Sequence, residues 1–166
     1  LFGDGAGAIV LEASRVDPRG SKSGIISTHI HSDGNYEELL YCDGGPSTNQ
    51  TAGFIKMEGK EVFKHAVNNL ASVVKEILYE NKLKPEEIDW LVPHQANKRI
   101  IESTAKKLKM PMSKVILTVE MHANTSAASI PLALDYGIKN KKIKSGDLIL
   151  MEAMGGGLTW GASLVR

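Results

Sequence analysis

The sequence of 166 residues is poor in cysteine, in net charge and in long apolar runs. Cys42 stands alone, so no internal disulfide can form, and nothing points to a small secreted fold held by crosslinks. A reducing, cytoplasmic setting is the expectation. Twenty basic residues face nineteen acidic ones, a formal net charge of +1. That balance gives no general attraction for nucleic acid or an anionic membrane surface, and neither is expected as a partner. No apolar stretch approaches the roughly 20 residues of a membrane-spanning helix, and a basic-then-apolar leader is not expected. The chain opens at Leu1, directly in a glycine-rich run, as the interior of a longer product would.

What is present reads as alternating strands and helices. Ala8–Ala13 is a short apolar run and reads as a strand; Asp17-Pro18-Arg19-Gly20 has turn chemistry. Residues Gly24–Ile30 are rich in β-branched side chains and predict a second strand. Asp33–Phe54 shows no period and reads as a long loop. Over Gly59–Asn81 the residues Phe63, Ala66, Val67, Leu70, Val74, Ile77 and Leu78 recur at helical spacing. Ile88–Val92 predicts a buried strand, Asn97–Lys109 a second helix, and Val115–Val119 an extended piece. Asn124–Asn140 predicts a third helix with Asn124 as N-cap and a kink at Pro131. Two final strands, Asp147–Ala153 and Leu158–Val165, are linked too tightly for a crossover and should be antiparallel. The order implies an α/β fold, a mixed five-stranded sheet with helices on its faces.

Three features converge on one sheet edge. His94 follows a buried strand and precedes a helix, where a helix N-terminus disfavours the imidazolium. Asn124 occupies the equivalent place after another extended segment. Gly155-Gly156-Gly157 joins the last two strands and could present backbone N–H groups to an oxyanion. Each has a plain structural alternative: a turn-filling histidine, a helix cap, a tight turn. His29 and His31 alternate with Ile30 on a strand edge, but no cysteine or carboxylate cluster completes a metal site, so none is expected. Cys42 lies in a polar loop without basic neighbours, so a reactive thiolate is not expected. Lys98, Arg99, Lys106, Lys107 and Lys109 crowd one helix, which is either a solvated face or a dock for an acidic partner.

The segments Trp90–Asn97 (WLVPHQAN), His122–Ser129 (HANTSAAS), Glu152–Gly161 (EAMGGGLTWG) and Phe2–Ala8 (FGDGAGA) resemble, in that order, four motifs of the ketoacyl synthase III family. The family usually has Gly at the place of Ala123, often Phe at that of Met154, and often Asn at that of Lys60. The resemblance implies half of a thiolase-like fold, with 1–17 ending a first half and 18–166 forming the carboxyl-terminal domain. It implies a transferase of fatty-acid synthesis. A Cys of the first half takes acetyl or another short acyl group from acyl-CoA, and malonyl-acyl carrier protein then loses carbon dioxide and attacks it. His94 and Asn124 would hold the malonyl carbonyl, and the Gly156 N–H would hold the tetrahedral oxyanion. Met57, Phe63, Asn97, Ile100 and Met154 would line the substrate channel. Lys64, Arg99, Lys106 and Lys107 would dock the acidic carrier protein. No cofactor is implied, since both thioesters are substrates. The full-length form would be a homodimer, and this chain without its amino-terminal half and nucleophile would be inactive. The alternatives are a related polyketide or alkylquinolone synthase and a noncatalytic fragment binding coenzyme A or carrier protein.

Overall fold

The computed structural model describes residues 1–13 and 23–166. The turn expected at Asp17–Gly20 lies outside the described residues. Strand β1 (Ile25–Ser32) is followed by a 3-10 turn at Gly34–Leu39 and a small hairpin of β2 (Leu40–Cys42) and β3 (Ile55–Met57). Helix α1 (Gly59–Glu80) leads to β4 (Trp90–Pro93), α2 (Lys98–Lys107) and the single turn α3 (Val119–His122). Then come α4 (Ser129–Lys139), β5 (Ile149–Gly155) and β6 (Thr159–Val165).

The main sheet has the order β1-β6-β5-β4; β4 runs parallel to β5, and β6 runs antiparallel to both β5 and β1. The expected antiparallel closing pair is therefore present. Among the described residues the sheet has four strands and not the expected five: beside β4, Val115 makes one parallel bridge to Leu91, and the backbone then leaves the sheet. Thr118 and Val119 are drawn off into α3 by hydrogen bonds to a buried side chain described below.

Side-chain alternation along the strands builds two apolar layers. Leu91, Leu150, Ala162 and Leu164 face α1 and α2, where they pack with Val74, Ile77, Leu78, Ile101 and Leu108. Val92, Ile149, Met151 and Val165 face the other way, against Ala133, Ile116 and Ile143 beside α4. The helical spacing read in α1 holds: Ala66, Leu70, Val74, Ile77 and Leu78 are all buried. Each such large aliphatic side chain contributes roughly 1.5–3 kcal/mol by leaving water.

Three expectations change. Residues Ala8–Ala13 form no strand: no neighbouring strand offers them a ladder among the described residues, and Ile9, Val10 and Leu11 are exposed. Ahead of them, Phe2 makes an isolated parallel bridge with Asn124. The long loop contains a 3-10 turn and β2, because Asp33 caps the turn by accepting from the Asn35 N–H and β3 supplies a partner strand. The third helix begins at Ser129, not Asn124. Pro131 then sits in its first turn, where a missing N–H costs nothing, so no kink is required.

Candidate active site

His94 leaves the carboxyl end of β4, and its N–H donates to the Glu152 carbonyl of β5 at 2.7 Å. Its ring is fixed from behind: Nδ1 lies 2.7 Å from the Ser129 hydroxyl, which also accepts the Gln95 N–H at 3.2 Å. A hydroxyl that already accepts from Gln95 has its own proton free for Nδ1. In the tautomer in which the hydroxyl donates to Nδ1, the imidazole proton is on Nε2, which is then a donor. Burial holds the His94 pKa below its ordinary 6.5, so the ring is neutral at physiological pH.

Asn124 arrives from the opposite side. Its backbone is pinned by the amino-terminal segment, donating to Leu1 O at 3.2 Å and accepting from Gly3 N–H at 2.9 Å. Its carboxamide oxygen accepts from the Ser126 N–H at 2.9 Å, an Asx turn and not a helix cap. Nδ2 has no partner among the described residues and remains a donor. Ala123, just before it, has φ +58° and ψ −162°, a region in which glycine is the favoured residue.

Both side chains line one cavity of about 770 Å³. Met57, Phe63, Asn97, Ile100, Met154 and Gly156 line it too, so every residue expected for catalysis and the channel shares this space. Leu70, Ala66, Ile100, Phe63, Ala96 and Met154 give it an apolar wall. Asn97 is also the N-cap of α2, its carboxamide oxygen accepting from the Ile100 N–H at 2.9 Å. At Gly156 any Cβ would lie 2.9 Å from Leu40 O, so the glycine keeps the turn closed over the hairpin. Its N–H is taken by no group among the described residues. Cys42 is exposed and is not among the residues that line the cavity.

The four expected docking cations are exposed on α1 and α2 outside the cavity. Lys64 pairs with Glu61 at 2.9 Å, Lys107 bonds the Asn68 carboxamide oxygen, and the Arg99 guanidinium lies 5.6 Å over the Phe63 ring. Lys98 is tied to Glu120 at 2.7 Å.

Two supporting residues were not anticipated. Gln95 is 1% exposed, and its carboxamide is fully used: Nε2 donates to Pro93 O and Ile116 O, and Oε1 accepts from the Thr118 and Val119 N–H groups. It ties the His94 arm to the segment leading to Asn124. Ser129 ties the arms in the other direction. A buried glutamine within a strand–helix connection is the only trace either leaves in the sequence. Glu152 is a third surprise. It lies on β5 between Pro93 and Ala162, fully buried, and burial pushes its carboxyl up to about 8. Its Oε2 has no partner among the described residues.

A mixed sheet between helices, with an imidazole and a carboxamide donor meeting in a cavity at its carboxyl edge, defines a thiolase-like α/β half-fold. A protein family described as 3-oxoacyl-[acyl-carrier-protein (ACP)] synthase III, C terminal, matches residues 78–166. The beta-ketoacyl-[acyl-carrier-protein] synthase III of Paramagnetospirillum magneticum is 63% identical over the whole chain and 51% of its own length. The crystal structure of the synthase III from Aquifex aeolicus superposes with a TM-score of 0.81 at 49% identity, covering 88% of this chain and 45% of that one. That from Pseudomonas aeruginosa gives 0.83 at 32% identity, covering 93% and 46%. The chain belongs to the 3-oxoacyl-(acyl-carrier-protein) synthase III family. It spans about half the length of the curated relatives it matches.

Proposed function

We propose that this chain is the carboxyl-terminal half of an acyltransferase that starts fatty-acid synthesis, condensing a short acyl-CoA with malonyl-acyl carrier protein. The observation that carries the reading is the donor pair. His94 Nε2 and Asn124 Nδ2 are left uncommitted in one cavity because Ser129 and Ser126 occupy the other polar atom of each side chain. When a malonyl thioester loses carbon dioxide, the electron pair of the breaking bond moves into the enolate and its oxygen gains negative charge. Two fixed neutral donors are worth most at that moment, and each contributes about 2.7–4 kcal/mol by analogy with single oxyanion donors. The enolate carbon then forms the new bond to the acyl carbon held on a cysteine. The Gly156 N–H is available to the resulting oxyanion until the thiolate leaves. Met57, Phe63, Asn97, Ile100 and Met154 enclose the thioester arm.

The cysteine belongs to the remainder of the protein, since Cys42 is not at the cavity. Residues 1–17 would then close the amino-terminal half and 18–166 form this one, and the chain by itself would be inactive. An acidic carrier protein would meet Lys64, Arg99, Lys106 and Lys107. The thioesters are substrates, and no further cofactor is needed for this chemistry. The homodimer follows from the family resemblance, and a cytoplasmic address from the lone cysteine. Among the described residues no helix is long and apolar enough to cross a membrane.

The test uses the full-length protein with His94→Ala and Asn124→Ala. Each variant should still take acetyl from acetyl-CoA but lose malonyl decarboxylation by roughly a hundredfold or more. Normal decarboxylation of malonyl-carrier protein by either variant refutes its assigned role.

A further inference from the structure

Outside the cavity, the fold completes a cluster that the sequence leaves open. His29 and His31 project from the same face of β1, two residues apart. Glu76 and Glu80, one turn apart on α1, come to meet them. His29 Nδ1 lies 3.1 Å from Glu76 Oε1, His29 Nε2 lies 3.3 Å from Glu80 Oε2, and His31 Nε2 lies 2.7 Å from Glu76 Oε2. The expectation that no carboxylate cluster stands beside these histidines is thereby corrected: the partners come from 45 to 51 positions further along the chain. Six residues of helix, or about 9 Å, separate Glu76 from Leu70 in the cavity wall, and none of the four side chains lines that cavity, so the two places are distinct.

We propose that His29, Glu76 and Glu80 form a binding site for a divalent transition-metal ion of the zinc type, with His31 orienting Glu76. One ligand atom from each of the three lies within 4.8 Å of the others. Zinc bound by imidazole nitrogen and carboxylate oxygen at about 2.0–2.2 Å holds such atoms roughly 3.4 Å apart in a tetrahedron. A small rotation of Glu80, whose side chain is 58% exposed, closes the difference. With the ion on His29 Nδ1, where Glu76 Oε1 stands 3.1 Å away, the other nitrogen keeps a hydrogen-bond partner in Ser27 Oγ, 3.3 Å from Nε2. A histidine ligand held in this way by its second nitrogen is the common arrangement at zinc. Two carboxylates offset the ion's charge, and a mixed nitrogen–oxygen donor set disfavours magnesium, which takes oxygen ligands. The ion would fasten edge strand β1 to the second half of α1, a structural clip that takes no part in the condensation.

Trp160 supplies a reporter, since its ring stacks on His31 with centroids 5.7 Å apart. The experiment titrates Zn2+ into the full-length, untagged, chelator-stripped protein at neutral pH, following binding calorimetrically and by thermal unfolding. Ni2+ is titrated in parallel with tryptophan fluorescence as the readout, and Trp160→Phe identifies the signal. One Zn2+ per chain should bind and raise the unfolding temperature, Mg2+ should not compete, and Ni2+ should quench Trp160. His29→Ala and Glu80→Gln should each weaken Zn2+ at least about tenfold, and His31→Ala should weaken it less. Glu80 is exposed enough that its variant leaves the fold intact, and circular dichroism verifies this. Absence of stoichiometric binding, or binding that Glu80→Gln and His29→Ala leave unchanged, overturns the site and reduces the cluster to ion pairs.

Discussion

Replacing Glu152 with glutamine should shift stability progressively in the variant's favour, relative to the parent, as pH rises from about 5 to 8. The carboxyl is fully buried, and burial pushes its pKa from 4.5 up to about 8. Between those values the folded protein keeps a proton that the unfolded chain releases. The native state therefore binds more protons, and stability falls with pH by up to about 1.4 kcal/mol per unit. The contribution of the neutral acid is fully present below about pH 4.5 and is lost as pH climbs through about 8. Over the whole interval the loss is roughly 5 kcal/mol, and by pH 7 it is roughly 3 kcal/mol. Glutamine keeps the shape and does not titrate. Its amide must find a partner where Oε2 has none, at a cost of about 1–3 kcal/mol, but that cost is the same at every pH and shifts the curve without tilting it. Urea unfolding of both proteins at half-unit pH steps, with m-values compared, isolates the tilt. If the two stability curves run parallel across this range, Glu152 ionises alike in the folded and unfolded chain, and its burial as a neutral acid is refuted.

Two other substitutions test the supports of the donor pair. Ala123→Gly relieves a non-glycine residue at φ +58° and ψ −162°, a placement costing about 1–3 kcal/mol, against about 0.5–1 kcal/mol of added chain entropy. A net gain near 1 kcal/mol in urea denaturation is expected, and a loss would mean that the alanine methyl group earns its place by packing. Gln95→Ala strands four backbone groups, Pro93 O, Ile116 O and the N–H of Thr118 and Val119, and should cost about 3 kcal/mol or more even with water readmitted. In the full-length enzyme its effect should fall on kcat for malonyl decarboxylation more than on KM, and a stability loss below about 1 kcal/mol would contradict the latch.

What the sequence made legible followed from short-range physics. The spacing of Ala66, Leu70, Val74, Ile77 and Leu78 predicted α1 because one helix face alone decides that pattern. The tight link through Gly155–Gly157 predicted an antiparallel closing pair because no crossover fits into it. His94 and Asn124 stood out because the sequence reads each as lying at a helix start after an extended segment, which holds for His94, between β4 and α2, but not for Asn124, which follows α3. The failures were long-range. Nothing near His29 announces Glu76 and Glu80, which arrive only when α1 packs across β1. Residues Val115–Val119 have strand composition, but the carboxamide of Gln95 takes the Thr118 and Val119 N–H groups, so the ladder stops at Val115. Asn124 has the composition of a cap but spends its oxygen on Ser126, two residues ahead, and the helix waits until Ser129.

The same cross-chain bonds explain how two donors from separate arms can share a target. His94 and Asn124 sit on segments joined through α2 and some thirty residues of chain, so pairing within one strand cannot fix their relation. Gln95, next to His94, grips the backbone at Ile116, Thr118 and Val119, which leads through α3 to Asn124. Ser129, five residues past Asn124, grips the His94 ring and the Gln95 N–H. Each arm thus carries the polar group that holds the other, and both groups are buried, where a hydrogen bond is costly to break because water cannot replace the partner. A shift of either arm would have to break bonds at both ends. That mutual restraint lets a neutral imidazole and an amide keep their directions without a charge between them, as the proposed role of preorganised donors to an enolate oxygen requires.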